Sequence, residues 1–226
     1  MTENGVTSRM IESVRSYADS LVNCRMMSLF MVQHTDFLNR FERDELEMFI
    51  DAGEAQACGL QNASLELIRF MNEIRKKRQV LAYKGKAYRG MVVSEKDLQY
   101  LTKMRIGQSY GLGDKRRNQV KSASRSLEFV KSWILQLRET YRKSPLTADK
   151  RNMVIFEMDL CNGAPIENID VQPRGHEQQE ILLQPSPFKV LKIPSSPISC
   201  DRSSLSADPT ADQCWYFHLE ETDCET

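Results

Sequence analysis

The sequence predicts an α+β protein, with an N-terminal helical region followed by a mixed, strand-rich core. Two observations carry this. Apolar residues recur at helical spacing through the first third, with no proline and few glycines. Short strand-like runs, separated by Gly, Pro and Ser, dominate the remainder. Helices come first and strands later, instead of alternating, so the class is α+β and not α/β.

Each element follows in order. Ile11, Val14, Tyr17 and Leu21 form a helical stripe with Glu12, Arg15 and Asp19 between them. Leu46, Phe49 and Ile50 form another stripe, stopped at Gly53. Leu67, Phe70, Met71 and Ile74 line one face of a helix from about Ala63 to Arg78. The helical region is therefore assigned to residues 1–78 and the core to 79–226. Val80–Tyr83 and Ala87–Val93 read as two strands around a Lys84-Gly85-Lys86 turn. Ser94-x-x-Asp97 reads as a capping box opening a helix with Leu98, Leu101 and Met104. Val120–Ala123 reads as a short strand. Ser124 or Ser126 caps the next helix, which carries Leu127, Val130, Ile134 and Leu137. Met153–Met158, Glu180–Leu183 and Phe188–Ile193 read as strands, and Trp215, Phe217 and Leu219 alternate on a last one. Residues 194–213, rich in Pro, Ser, Asp and Thr, read as a flexible loop.

Composition narrows the function. With 226 residues, 41% hydrophobic and 27% charged, the chain suits an ordinary globular core. A formal net charge of zero argues against global polyanion binding. No apolar run approaches the roughly 20 residues of a membrane span. The N-terminus lacks the basic and apolar segments of a secretory signal. The six cysteines form no C-x-x-C pair and the three histidines are scattered, so no metal site is expected. Reduced cysteines and a cytoplasmic location are the expectation. Delivery into a host cell without a classical signal peptide would leave no mark on the sequence.

Three segments stand out when read together: Tyr88-Arg89-Gly90 in a strand, Ser122-Ala123-Ser124 before a helix, and Gln178-Gln179-Glu180 entering a strand. Taken singly, each is ordinary, since strand arginines commonly snorkel and serines commonly cap helices. Their order resembles the Arg-Ser-Glu signature of cholera-toxin-like and clostridial-exoenzyme-like mono-ADP-ribosyltransferases, over about Val80 to Glu220. The helical first third resembles, by type, the appendage of many exotoxins and of T-even phage transferases. Alanine stands at position 123 where the family has threonine, so Ser124 is the alternative to Ser122 as the motif serine.

The resemblance implies a two-sheet transferase core that uses NAD as donor substrate. It implies Arg89 and Gly90, with Ser124, on the NAD side, and Glu180, Gln178 and Ser122 at the chemistry. These residue types suit the reaction. A guanidinium holds pyrophosphate oxygens through paired, charge-assisted bonds. A hydroxyl donates to one partner while accepting from another. An ionised carboxylate beside the ribose stabilises the positive charge that grows as the glycosidic bond breaks. On an extended segment Gln178 projects to the same side as Glu180. The resemblance gives that position a part in acceptor choice, and glutamine there is similar to exoenzymes that modify asparagine on Rho GTPases. A protein acceptor is the expectation, with an RNA-linked acceptor as the alternative. NAD hydrolysis and a degenerate fold serving as a binding module are the competing functions. Tyr83, Tyr88 and Tyr110 are candidate stacking residues, and Arg75–Arg78 and Lys115–Arg117 are candidate basic rims.

Overall fold

The computed structural model describes residues 7–19, most of 63–77, 82–112, 121–143, 149–165, 179–183, 187–200, 213–222 and Cys224. The helix α1 spans Ser8–Asp19, and Met10 and Val14 are buried on it. The described positions between 63 and 76 are helical, with Leu67, Phe70, Met71 and Ile74 buried.

The core is built from β1 (Tyr83–Ser94), α2 (Glu95–Thr102), β2 (Ser109–Tyr110), β3 (Lys121–Ser124), α3 (Leu127–Lys143), β4 (Lys150–Pro165), β5 (Glu180–Leu183), β6 (Phe188–Lys192), β7 (Ile198–Ser199) and β8 (Gln213–Glu221). The expected turn at Lys84-Gly85-Lys86 is not a hairpin. Residues on both sides of it pair with the same strand, Tyr83 with Gly163 and Gly85 with Leu160, so the glycine marks an irregularity within one long strand. Gly85 has φ +148°, and the Tyr83 hydroxyl donates to the Lys86 carbonyl at 2.8 Å.

The strands form one hydrogen-bonded system in the order β1-β3-β5-β4-β8-β6-β2, with β7 paired to β8 and β1 also paired to β4. The expectation of two separate sheets needs correction on this point. The long β4 pairs with β1 and β8 along most of its length, while Ala164 and Pro165 at its end pair with β5. One strand thus serves both parts, and β1, β3, β5 and β4 close a ring. The β4–β8 pairing is parallel and the others are antiparallel, so the sheet is mixed.

Alternation on β4 sets two apolar faces. Val154, Phe156 and Met158 join Phe217, Leu219, Phe188 and Val190 in one cluster, closed by Leu98 and Leu101 of α2 and by Ala123, Ile181 and Leu183. Met153 and Ile155 face the other way, against Val130 and Ile134 of α3. Both helices start on built caps. The Ser94 hydroxyl accepts from the Asp97 amide at 3.2 Å and donates to the Asp97 carboxylate at 2.7 Å, so the aspartate closes the box through the hydroxyl. Ser126, not Ser124, caps α3, accepting from the Phe129 amide at 3.1 Å.

The cysteine expectation is overturned among the described residues. Cys161 is bonded to Cys224 and Cys200 to Cys214, with Cα separations of 5.6 and 5.4 Å. The two bonds flank β8 at its two ends. The buried Glu221 strengthens one end, accepting from the amides of Cys161 and Asn162 at 2.8 and 2.9 Å. Cys161, Glu221 and Cys224 lie close enough to hold a metal, but the two sulfurs are joined to each other and offer no thiolate. The expected loop over 194–213 is tied at both described ends, by Ile198 and Ser199 pairing with Cys214 and Gln213 and by the second disulfide. Among the described residues no helix is long and apolar enough to cross a membrane.

Two glycines permit close packing. A Cβ at Gly163 would lie 2.6 Å from Ile181 Cγ2, and one at Gly90 would lie 3.1 Å from Val130 Cγ1. Gly163→Ala is therefore expected to lower unfolding stability by about 1–3 kcal/mol, the usual range for overpacking. Gly90→Ala is expected to cost less. Urea denaturation of both variants measures this, and an unchanged midpoint for Gly163→Ala would contradict the packing described.

Candidate active site

The site begins with a short antiparallel pair. Along β3 and β5, Ser124 faces Glu180, Ala123 faces Ile181 and Ser122 faces Leu182. Ala123 and Ile181 are buried in the first apolar cluster and fix which face the pair turns inward. Ser122, Ser124 and Glu180 consequently share the other face, with Ser122 on the diagonal from Glu180. That diagonal is within reach of a serine and a glutamate side chain. The Ser122 hydroxyl is hydrogen-bonded to the Glu180 carboxylate.

Arg89 arrives from β1, paired to Phe156 of β4. One of its guanidinium nitrogens, Nη1, donates to the Ser122 carbonyl oxygen. The guanidinium is also close enough to act electrostatically on Glu180. Arg89, Ser122 and Glu180 come from three strands and are each only partly buried, so they meet where solvent or a ligand can reach them.

Burial raises the pKa of Glu180 above the ordinary carboxylate value. The Ser122 hydrogen bond and the Arg89 charge pull the other way and are the smaller effects. A half-desolvated carboxylate held by one hydroxyl and one guanidinium is suited to stabilising positive charge on a neighbouring carbon.

The remaining candidates divide. Ser124 is buried, and its hydroxyl accepts from the Ser126 amide at 3.0 Å, which turns β3 into α3. Gly90 faces α3 and lies against Val130 and Ile134, so it serves packing and not the Arg89 side. Gln178 and the Lys115–Arg117 cluster lie outside the described residues. The extended geometry assumed for the Gln178–Glu180 segment does not hold at Gln179, whose φ is +39°. That backbone is left-handed, and it is held by the Arg125 amide donating to the Gln179 carbonyl at 3.1 Å. Tyr110 is buried and stacks on Phe156 at 5.7 Å between ring centroids, a core role. Tyr88 packs against the cluster under α3. Tyr83 is covered by the Arg125 guanidinium, 5.7 Å from its ring centroid. His218 sits on β8, 2.7 Å from Asp159.

Two features escaped the sequence reading. Arg125 follows the serine motif directly, and its position was the one available signal. The outer face of α3 carries Phe129 and Trp133 beside Gln179, and the periodicity pointed only to the inner face.

This ring of strands, with an arginine, a serine and a glutamate converging on its open side, has the fold of the mono-ADP-ribosyltransferases. Among solved structures, the chain is similar to ADP-ribosyltransferase Vis in complex with agmatine, with TM-score 0.53 and 16% identity over 96% of this chain and 76% of that one. The Vis toxin from Vibrio splendidus matches at TM-score 0.50 and 17% identity, covering 96% of this chain and 75% of the other. No protein-family model matches the sequence, and no curated protein sequence does.

A carboxylate with a raised folded pKa holds its proton more tightly folded than unfolded. Its contribution to stability is present at acid pH and is lost as pH rises from the ordinary glutamate range through the raised value. Glu180→Gln is therefore expected to melt at higher temperature than wild type at pH 7, with the difference vanishing near pH 4. Ser122→Ala is expected to push the Glu180 pKa higher still. Thermal melts against pH and carboxyl NMR titration measure the two effects. A Glu180 titrating below the ordinary range would refute this account.

Proposed function

We propose that the protein is a mono-ADP-ribosyltransferase that cleaves the nicotinamide glycosidic bond of NAD and transfers ADP-ribose to a protein side chain. The observation that carries this reading is the Ser122 hydrogen bond to a raised-pKa Glu180, with Arg89 beside it. The fold shared with ADP-ribosyltransferase Vis supports the class of reaction.

In this reading NAD is a substrate that is consumed. Arg89 holds pyrophosphate oxygens through its guanidinium, whose planar fork lysine lacks. Its existing bond to the Ser122 carbonyl pre-orients it. Ser122 keeps the Glu180 carboxylate aimed at the nicotinamide ribose. The bond between the ribose carbon and the nicotinamide nitrogen breaks, and nicotinamide leaves as a neutral molecule with the bonding pair. Glu180 stabilises the oxocarbenium character that remains and accepts a hydrogen bond from the ribose 2′-hydroxyl, which strengthens as charge develops. The acceptor side chain then bonds to the same carbon and gives up a proton. Because Glu180 acts while ionised, the rate falls as pH drops through its raised pKa.

Incubation of radiolabelled NAD with a cell lysate tests the proposal. Glu180→Ala is expected to lower labelling of macromolecules by on the order of 10²–10⁴. Arg89→Lys is expected mainly to raise KM for NAD. The acid limb of the rate profile is expected above the ordinary glutamate range, and higher again in Ser122→Ala. Nicotinamide release without labelling would replace transfer by NAD hydrolysis. No turnover and no NAD binding by wild type would leave the fold as a binding module.

A further inference from the structure

Cys161, Glu221 and Cys224 form a cluster where the end of β8 meets β4, outside the group of Arg89, Ser122 and Glu180. One sulfur or carboxylate atom from each lies within 4.8 Å of the others. From this cluster we infer a redox-gated zinc site. Once the Cys161–Cys224 bond is reduced, the two sulfurs and the Glu221 carboxylate take a zinc ion, which then joins β4 to the end of β8 in place of the disulfide. The inference is independent of the transferase reading.

Placement that survives reduction is the first support. Glu221 and Cys224 lie three residues apart on one turn, with the Cys224 sulfur 2.9 Å from the Glu221 carbonyl oxygen. The Thr222 amide and hydroxyl both donate to the Pro187 carbonyl, at 3.2 and 2.9 Å, and Glu221 pairs with Phe188. Cys161 lies on β4, within the sheet. These contacts hold the two sides together without the sulfur–sulfur bond, so its loss leaves the ligands close. Two sulfurs each about 2.3 Å from a tetrahedral zinc stand about 3.8 Å apart. Side chains on Cα atoms 5.6 Å apart can span that distance.

The chemistry of the ligands is the second support. The buried Glu221 carboxylate accepts from the Cys161 and Asn162 amides at 2.8 and 2.9 Å, and the same oxygen is 3.5 Å from the Cys161 sulfur. Donors of this kind fix the orientation of a metal-binding carboxylate. The Asn162 side-chain amide donates to the Cys161 sulfur at 3.4 Å, which favours a thiolate there. Two thiolates and a carboxylate gather negative charge in a small space, and a divalent cation relieves their repulsion. Sulfur ligands favour zinc over calcium or magnesium, and a water completes its four-fold coordination.

Cys224 is exposed and Cys161 half-buried, so a dithiol reductant reaches the bond from the Cys224 side. Its thiolate attacks the Cys224 sulfur, and Cys161 leaves as a thiolate. The second thiol of the reductant then closes the reductant's own disulfide and releases Cys224. Two electrons pass from the dithiol to the protein, and zinc displaces the two thiol protons to solvent.

The test uses the full chain, reduced with a dithiol, freed of it under nitrogen, and titrated with cobalt or zinc alone. Cys161→Ser/Cys224→Ser is treated in the same way, to account for metal taken by the other cysteines. Reduced wild type is expected to bind one more equivalent of cobalt than this variant, with thiolate-to-cobalt charge-transfer absorption, and to melt at higher temperature with zinc. Oxidised wild type is expected to show none of these. Glu221→Gln keeps an oxygen for the two amides but removes the charge, and is expected to weaken zinc binding by about tenfold or more. Cys224→Ser, at an exposed position, gives the same comparison where either of the other variants fails to fold. Equal metal uptake by reduced wild type and the double variant would overturn the proposal, as would equal uptake by the oxidised chain. Glu221→Gln binding zinc as wild type does, or a reduced wild type that stays unfolded with zinc, would overturn it too.

Discussion

The pairing of β3 with β5 is the constraint on which the site depends. Four residue pairs fix its register, and Ala123 and Ile181 on one face enter the first apolar cluster while Ser122 and Glu180 share the other. A slip of one residue would exchange those faces, turning Ser122 and Glu180 into the apolar cluster and Ala123 and Ile181 away from it. The register is guarded from both ends. Ser124 receives the Ser126 amide and leads into α3, while the last two residues of β4 pair with Leu182 and Ile181. Closure of the ring through β1 and β4 then brings Arg89 to the Ser122 carbonyl. The arginine is thus coupled to the strand that carries the serine, and the serine to the strand that carries the glutamate.

That construction has an energetic consequence. The carboxylate is taken partly out of water, and the hydroxyl and guanidinium compensate only in part, so its pKa stays raised. Fuller compensation would make Glu180 an ordinary structural ion. Burial without Ser122 and Arg89 would raise its pKa further. The observed balance leaves a weakly solvated carboxylate whose charged form is disfavoured by burial and supported by Ser122 and Arg89, and which is therefore responsive to nearby positive charge. The rest of the fold supports this arrangement: a β4 long enough to serve both parts of the sheet, and a β8 held at each end by a disulfide.

Much of this was legible in the sequence because the signals were local. Strand alternation, the Ser94 cap and the order of the Arg89, Ser122 and Glu180 segments each occupy a few residues, and the structure brings those three residues together. The parts that were not legible depend on partners distant in the chain. A Lys-Gly-Lys triplet between two apolar runs has the composition of a hairpin turn, and only the shared pairing with β4 makes it an irregularity in one strand. The cysteines had no short-range spacing to betray them, and their pairing spans 63 and 14 residues. Gly90 sits in the Tyr-Arg-Gly motif, yet alternation turns it away from Arg89 and toward Val130 and Ile134.

Gln179 shows why the last stretch before Glu180 could not be inferred from periodicity. An extended Gln178-Gln179-Glu180 segment would place the first and third side chains together; the middle residue has φ of +39°, outside the extended region, and Gln178 lies outside the described residues. The same backbone setting turns Gln179 toward α3, so two neighbouring residues serve two surfaces. Glu180 belongs to the strand framework with Arg89 and Ser122, which is rigid because it is built from paired strands. Gln179 belongs to the helix edge with Phe129 and Trp133, where side chains can change without disturbing the register of β3 and β5. The strand framework and the helix edge are thereby separated by a single peptide bond, and change at that edge need not touch Arg89, Ser122 or Glu180.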